Sequence, residues 1–213
     1  MTDTRNSPRG FTIVSKRGLA LVAAVTLLVG LALGAGLTRV LGSGSPADDS
    51  AEAGFARDMT AHHAQAVAMG ILAAKQGHSH EVRTIGEDVA MTQQGQIGIM
   101  SQWLRDWGLN LNGTAKPMAW MPDGDKALIN GNLMPGMATQ AEMEALQKAT
   151  GKEFDLLFLD MMIKHHLGGV HMVDAVLADS TDPDVTWLAK GMKAGQTAEI
   201  SDMQRLQETL AKR

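Results

Sequence analysis

The stretch FARDMTAHHAQAVAM, residues 55–69, returns 103 residues later as FLDMMIKHHLGGVHM, residues 158–172, without a gap. Phe55, Met59, His62, His63, Val67 and Met69 fall on Phe158, Met162, His165, His166, Val170 and Met172. The same offset carries Ile85, Gln93, Ile97 and Met100 onto Leu188, Gln196, Ile200 and Met203. One shift that holds across two successive apolar patterns marks a duplicated unit.

Each unit reads as two helices. Residues 55–75 lack Pro and repeat their apolar side chains at helical spacing, and Gly77 supplies the break. A second helix runs from about Glu81 to Trp107 on the stripe Val82, Ile85, Val89, Ile97, Met100 and Leu104, with Gly108 as its stop. In the second unit residues 154–177 are the counterpart, and Asp182-Pro183 provides an N-cap and a first-turn Pro for a last helix running to the C-terminus. Two such hairpins predict an all-α four-helix bundle, with repeat 1 over 55–107 and repeat 2 over 158–210. The connection over 110–138 is rich in Gly, Pro, Asn and Met, and Thr139-Gln140-Ala141-Glu142 is a capping box that opens a short helix to about Ala149.

Upstream lies a different kind of chain. Residues 1–18 carry Lys16 and Arg17 directly before Leu19 to Leu37, an apolar run broken by one Thr. That pattern predicts a transmembrane or signal helix over 19–38, with the N-terminus in the cytoplasm and the body outside it. A retained single-pass anchor is the expectation, with cleavage to a secreted or periplasmic form as the alternative. Residues 39–53 have linker composition, and the folded domain is expected over 54–213.

Composition narrows the chemistry. There is no Cys, which removes disulfides, thiolate metal sites and cysteine nucleophiles. The net charge of −4 hides an asymmetry, since residues 1–39 hold five basic side chains against Asp3 alone, leaving 14 basic and 22 acidic residues beyond them. An acidic body without a basic stripe argues against nucleic acid and suits cations. The chain has 15 Met and 7 His but only 4 Phe, 4 Trp and no Tyr, so thioethers replace the usual aromatic filler.

A helix turns about 100° per residue, so each motif splits into two strips. Asp58, His62 and Met69 share one and Met59 and His63 the other; the second copy has Met161, His165 and Met172, then Met162 and His166. Residues four apart are surface neighbours, which makes Met59/His63 and Met162/His166 the minimal chelating pairs. Met69 lies two turns beyond His62 and needs a second ion or a ligand from another helix. Thioether sulfur is a soft donor suited to Cu(I), and imidazole also takes Cu(II), so the mixture points to copper before zinc. Asp58, Gln93 and Gln196 are candidates to support the ligands from behind, the two Gln either by hydrogen bonding the free nitrogen of a motif His or simply as capped or partly solvated polar positions.

Other readings fit some of the same residues. Met is a common core filler, and buried His can be satisfied by backbone or carboxylate; a metal-free, membrane-tethered helical interaction module whose Met-rich surfaces bind partners is a separate reading. A ferritin-like metal oxidase needs inward Glu and Glu-x-x-His motifs, and the sequence contains no Glu-x-x-His. No residue set demands catalysis. His171, His78 and His80 have no counterpart in the other copy and read as surface residues. Met118, Met121, Met134 and Met137 in the connection read as plugs over the bundle end or as additional thioether ligands.

FARDMTAHH from Phe55, Met134-Pro135-Gly136-Met137 and FLDMMIKHH from Phe158 resemble the bacterial family called domain of unknown function 305, which includes CopM-like copper-binding proteins. The resemblance covers about Gly54 to Leu210. It implies a ferritin-like fold, export from the cytoplasm and, for some members, copper binding and resistance through Met and His. Met161 stands where the first copy has Asp58, which makes the halves chemically unequal.

Overall fold

The computed structural model describes residues 44–129 and 131–212. The apolar segment over 19–38 lies outside them, and among the described residues no helix is long and apolar enough to cross a membrane. Among the described residues six helices follow in order: α1 Ala51–Gln76, α2 His80–Asp106, α3 Gly124–Ala127, α4 Gln140–Lys148, α5 Gly151–Asp179 and α6 Pro183–Lys212. The described residues contain no β-strand, only an isolated bridge between Ile129 and Leu133.

Local chemistry sets the helix ends. Ser50 caps α1 by accepting from the Ala53 N–H, so the helix begins four residues before Phe55. Gly77 ends it and Ser79 caps α2 through the Val82 N–H. Gly108, with φ +72°, follows α2. The Thr139/Glu142 capping box opens α4, and the Asp182 carboxylate accepts from the N–H groups of Asp184 and Val185 at the start of α6.

The hairpins α1/α2 and α5/α6 pack against each other through α1 and α5. Small residues permit close approach within the α1/α2 hairpin: a Cβ on Gly70 would lie 2.6 Å from the Gly86 carbonyl oxygen, and one on Gly86 equally close to that of Gly70. The core falls into two clusters. The first holds Phe55, Met59 and Met100 of repeat 1 with Met172, Val176 and Met192 of repeat 2. The second holds Phe158, Met162 and Met203 of repeat 2 with Met69, Ala73 and Val89 of repeat 1. Met69 and Met172, equivalent under the repeat, have thus exchanged places. This happens because α1 and α5 run antiparallel and cross at the equivalent pair His62 and His165.

Asp155 of α5 fastens this arrangement from outside the duplication. It is buried, and its two carboxylate oxygens accept from the backbone N–H groups of His78 (2.7 Å) and Ser79 (2.8 Å) in the α1–α2 turn. Asp155→Ala is expected to cost about 2–4 kcal/mol, because two donors lose charge-assisted bonds. Urea unfolding measures this, and a loss below about 1 kcal/mol would contradict the assigned role.

Candidate metal centre

Between the two Met-rich clusters lies a layer of four imidazoles, all essentially removed from solvent. His62 and His165 face each other at the helix crossing, with ring centroids 3.8 Å apart and planes tilted by 35°. His63 and His166 sit beside them, at centroid distances of 6.5 and 6.4 Å from His62 and His165 respectively. Adjacent helix positions lie about 100° apart, so one histidine of each pair meets the opposite repeat while the other turns toward its own hairpin partner.

All four rings use Nε2. His62 Nε2 donates to the Pro135 carbonyl (3.0 Å) and His165 Nε2 to the His62 carbonyl (3.0 Å). His63 Nε2 pairs with Gln96 Oε1 at 2.7 Å, and His166 Nε2 with Glu199 Oε2 at 2.6 Å. A backbone carbonyl only accepts, which assigns the proton to Nε2 in the central pair. The Nδ1 atoms of His62, His63 and His166 are buried without any partner. Buried polar atoms ordinarily find one.

Burial also settles the charge of three rings. Desolvation pushes His62 down to about 4 and His63 down to about 3, with the neighbouring imidazoles adding to the effect in both. His165 is held well below the ordinary histidine range by the same causes. These rings are neutral at physiological pH and have an Nδ1 lone pair to offer.

The predicted Met residues surround the layer. Met59, Met69, Met162 and Met172 are fully buried and Met161 nearly so. Met59 lies one turn before His63, and across the hairpin Met100 lies one turn after Gln96; Met162 with His166 and Met203 with Glu199 repeat the relation. Met172 joins Met59 and Met100, while Met69 joins Met162 and Met203. Met100 and Met203 are an addition to the sequence-derived set. Their signal was the 103-residue offset that they share with the motif.

The supporting groups are not the ones anticipated. The hydrogen bonds to His63 and His166 come from Gln96 and Glu199, three residues beyond Gln93 and Gln196. Gln93 is buried with Oε1 unpartnered, and Gln196 packs against Gly169, where a Cβ would lie 2.5 Å from its Oε1. Asp58 bonds to the crossover and not to an imidazole. Its Oδ2 accepts from the Met118 N–H (2.6 Å) and from Trp120 Nε1 (2.8 Å), and its pKa is raised by burial. Asp58 thereby pins the crossover, whose Trp120 ring stands edge-on to Phe55. Its counterpart Met161 lines an apolar cleft with Pro135, Met137 and Leu167.

The crossover Met residues behave as plugs: Met118, Met121 and Met134 are buried in the first cluster and Met137 packs against it. Gln65 holds the end of this loop by bonding both the N–H and the carbonyl of Ala138. His78, His80 and His171 are exposed. Among the described residues no group of three or more His, Asp or Glu is placed to hold a metal ion. The donors gathered at this layer are thioether sulfur and imidazole nitrogen, a soft set.

These features define an all-helical protein with a duplicated, buried Met and His layer. Residues 52–207 match the model of the family described as Domain of unknown function (DUF305), and the chain belongs to that family. A Streptomyces coelicolor DUF305 chain described as a "putative secreted protein" is 41% identical, with TM-score 0.72, covering 78% of this chain and 96% of that one. A DUF305 fragment from Deinococcus radiodurans is 27% identical, with TM-score 0.62 and coverage of 75% and 96%. CopM in the Cu(I)-bound form is 21% identical, with TM-score 0.58 and coverage of 75% and 96%, a likeness of fold. CopM has also been solved in Cu(II)-bound, Ag-bound and apo forms. A search of curated proteins finds no match.

Proposed function

We propose that this chain is an extracytoplasmic metal-binding protein that holds copper, chiefly as Cu(I), for buffering or delivery. The observation that carries the reading is the set of buried, unpartnered Nδ1 atoms on His62, His63 and His166 within a Met-lined layer. A ring anchored through one N–H and presenting its other nitrogen bare is the usual arrangement of a metal-ligating histidine. Met59, His63, Met100 and Met172 would form one half-site, and Met162, His166, Met203 and Met69 the other. His62 and His165 lie between them, with Met161 at the edge of the layer. Neutral soft donors of this kind suit Cu(I), and Cu(II) through the imidazoles, better than zinc.

The Cu(I)-, Cu(II)- and Ag-bound forms of CopM support the choice of metal. The description of the Streptomyces coelicolor relative supports export. We assign residues 19–38 to attachment at the cell membrane, and read the two hairpins as a ferritin-like four-helix bundle.

The test is titration of the full chain with Cu(I) under reducing conditions and with Ag(I), beside Met59→Leu/Met162→Leu and His63→Asn/His166→Asn. Leu conserves Met volume, so the first variant keeps its fold at a cost below about 1.5 kcal/mol per site. Both variants are expected to weaken binding by roughly tenfold or more. Unchanged affinity in both would overturn these half-sites, and no binding of Cu(I) or Ag(I) by the unaltered chain would favour the metal-free interaction module.

A further inference from the structure

The duplication provides an internal comparison: the proposed ligands are the same in the two half-sites, but the groups behind them are not. Gln96 and Glu199 occupy equivalent positions and bond equivalent imidazoles at nearly equal distances, 2.7 and 2.6 Å. One is a neutral amide and the other a carboxylate. The inequality extends to the surface. Ile85, Asp88 and Val89 of α2 and Glu199, Asp202 and Met203 of α6 line one small cavity of about 120 Å³, with fully buried Met203 in its wall. The repeat-equivalents of Asp88, Glu199 and Asp202 are Gly191, Gln96 and Ile99, none of which carries a charge. Asp202 is shared with Arg205, which leaves Asp88 and Glu199 as the carboxylates facing this cavity without that ion pair.

We propose that this acidic cavity is the entry for a soft monovalent cation, and that Glu199 makes the half-site of Met162, His166 and Met203 fill before that of Met59, His63 and Met100. The inference rests on the metal-binding reading above and adds an order of filling to it. Two observations meet here. Carboxylates gather at a cavity walled by a buried thioether, and His166, whose Nε2 is bonded to one of them, keeps a fully buried Nδ1 without a partner. A monovalent ion among thioethers and imidazoles is a buried positive charge, which is costly without compensation. Glu199 supplies that compensation through the imidazole it holds, and its side chain is 33% exposed, so it bridges solvent and site. Gln96 orients His63 in the same way but offers no charge. Glu199 is thus a positioning and charge-compensating residue behind the ligand.

The experiment titrates the full chain, labelled with 15N at histidine, with Ag(I), a probe without redox chemistry, and follows the ring nitrogens. In the wild type, His166 Nδ1 is expected to shift first, with affinity at least roughly tenfold above that for the His63 half-site. Glu199→Gln should bring the two affinities within about threefold, Gln96→Glu should raise the weaker one, and Asp88→Asn should slow loading at His166. All three changes are close to isosteric, and circular dichroism checks the fold. Simultaneous filling, filling at His63 first, or an unchanged gap in Glu199→Gln overturns the proposed order while leaving the metal-binding reading intact. Absence of any Ag(I) binding overturns both.

Discussion

Gly168→Ala is expected to destabilise the protein by about 2–3 kcal/mol, although alanine in a helix interior normally gains about 1 kcal/mol over glycine. Gly168 lies in the middle of α5, where a Cβ would sit 1.9 Å from the Pro135 carbonyl oxygen and 2.4 Å from its carbon. The obstacle is backbone, so no side-chain rotation relieves it. The loop must lift, and with it goes the carbonyl that accepts from His62 Nε2. Gly136, with φ +76° and a virtual Cβ 2.3 Å from the Lys164 carbonyl oxygen, locks the same loop from the other side. The substitution should therefore lower the urea midpoint and change the His62 ring nitrogen resonances together. Gly98→Ala on α2 and Gly195→Ala on α6 point into open space and should instead stabilise by up to about 1 kcal/mol. A Gly168→Ala protein as stable as these controls would refute the loop contact.

The second large effect is an acid sensitivity that begins near neutral pH. In the unfolded chain each imidazole binds its proton near pH 6.5, whereas in the folded protein His62 and His63 stay neutral down to about 4 and 3. Between those values the unfolded state holds more protons, so stability rises with pH through that interval. It is complete above about pH 6.5 and is lost as pH falls toward 4. Each unit of displacement corresponds to about 1.4 kcal/mol, giving roughly 3–5 kcal/mol per histidine as a scale, shared among interacting rings and so not additive. Asp58, raised by burial, acts in the opposite direction. The unfolding midpoint should drop markedly from pH 7 to pH 5, above the range of ordinary carboxylates. His63→Asn, which removes one such ring, should flatten that drop. A midpoint constant across this interval would show that the rings are hydrated or paired in a way the described geometry lacks.

Much of the architecture was legible in residues 55–69 and 158–172. Their shared spacing marked the two His-bearing helices, and the caps Thr139 and Asp182 and the breaks Gly77 and Gly108 marked boundaries that the structure reproduces within a few residues. Caps and apolar periodicity are local, so they can be read without knowing what packs where. The beginning of α1 was misjudged for an equally local reason. Ser50 is a good N-cap hidden in linker-like composition.

The partners of the histidines were not legible. Gln93 and Gln196 stood out because they are identical in the two copies, yet Gln96 and Glu199, which differ, make the hydrogen bonds. One turn separates the two choices, and only the register of α1 on α2 and of α5 on α6 decides between them. Asp58 belonged by angle to the strip of His62, but a crossover Trp claimed its carboxylate. Asp155 carried no signal at all, since its role depends on the α1–α2 turn being delivered to it by the other repeat.

By itself the amino-acid order determined that this protein is helical and duplicated and that it concentrates thioethers and imidazoles on two equivalent helices, because each of these is a property of spacing along one chain. Tertiary structure alone decided that α1 and α5 cross antiparallel, that Met69 and Met172 trade clusters, and which nitrogen of each imidazole is left free. Those outcomes depend on contacts between residues 33 to 103 positions apart, which no periodicity encodes.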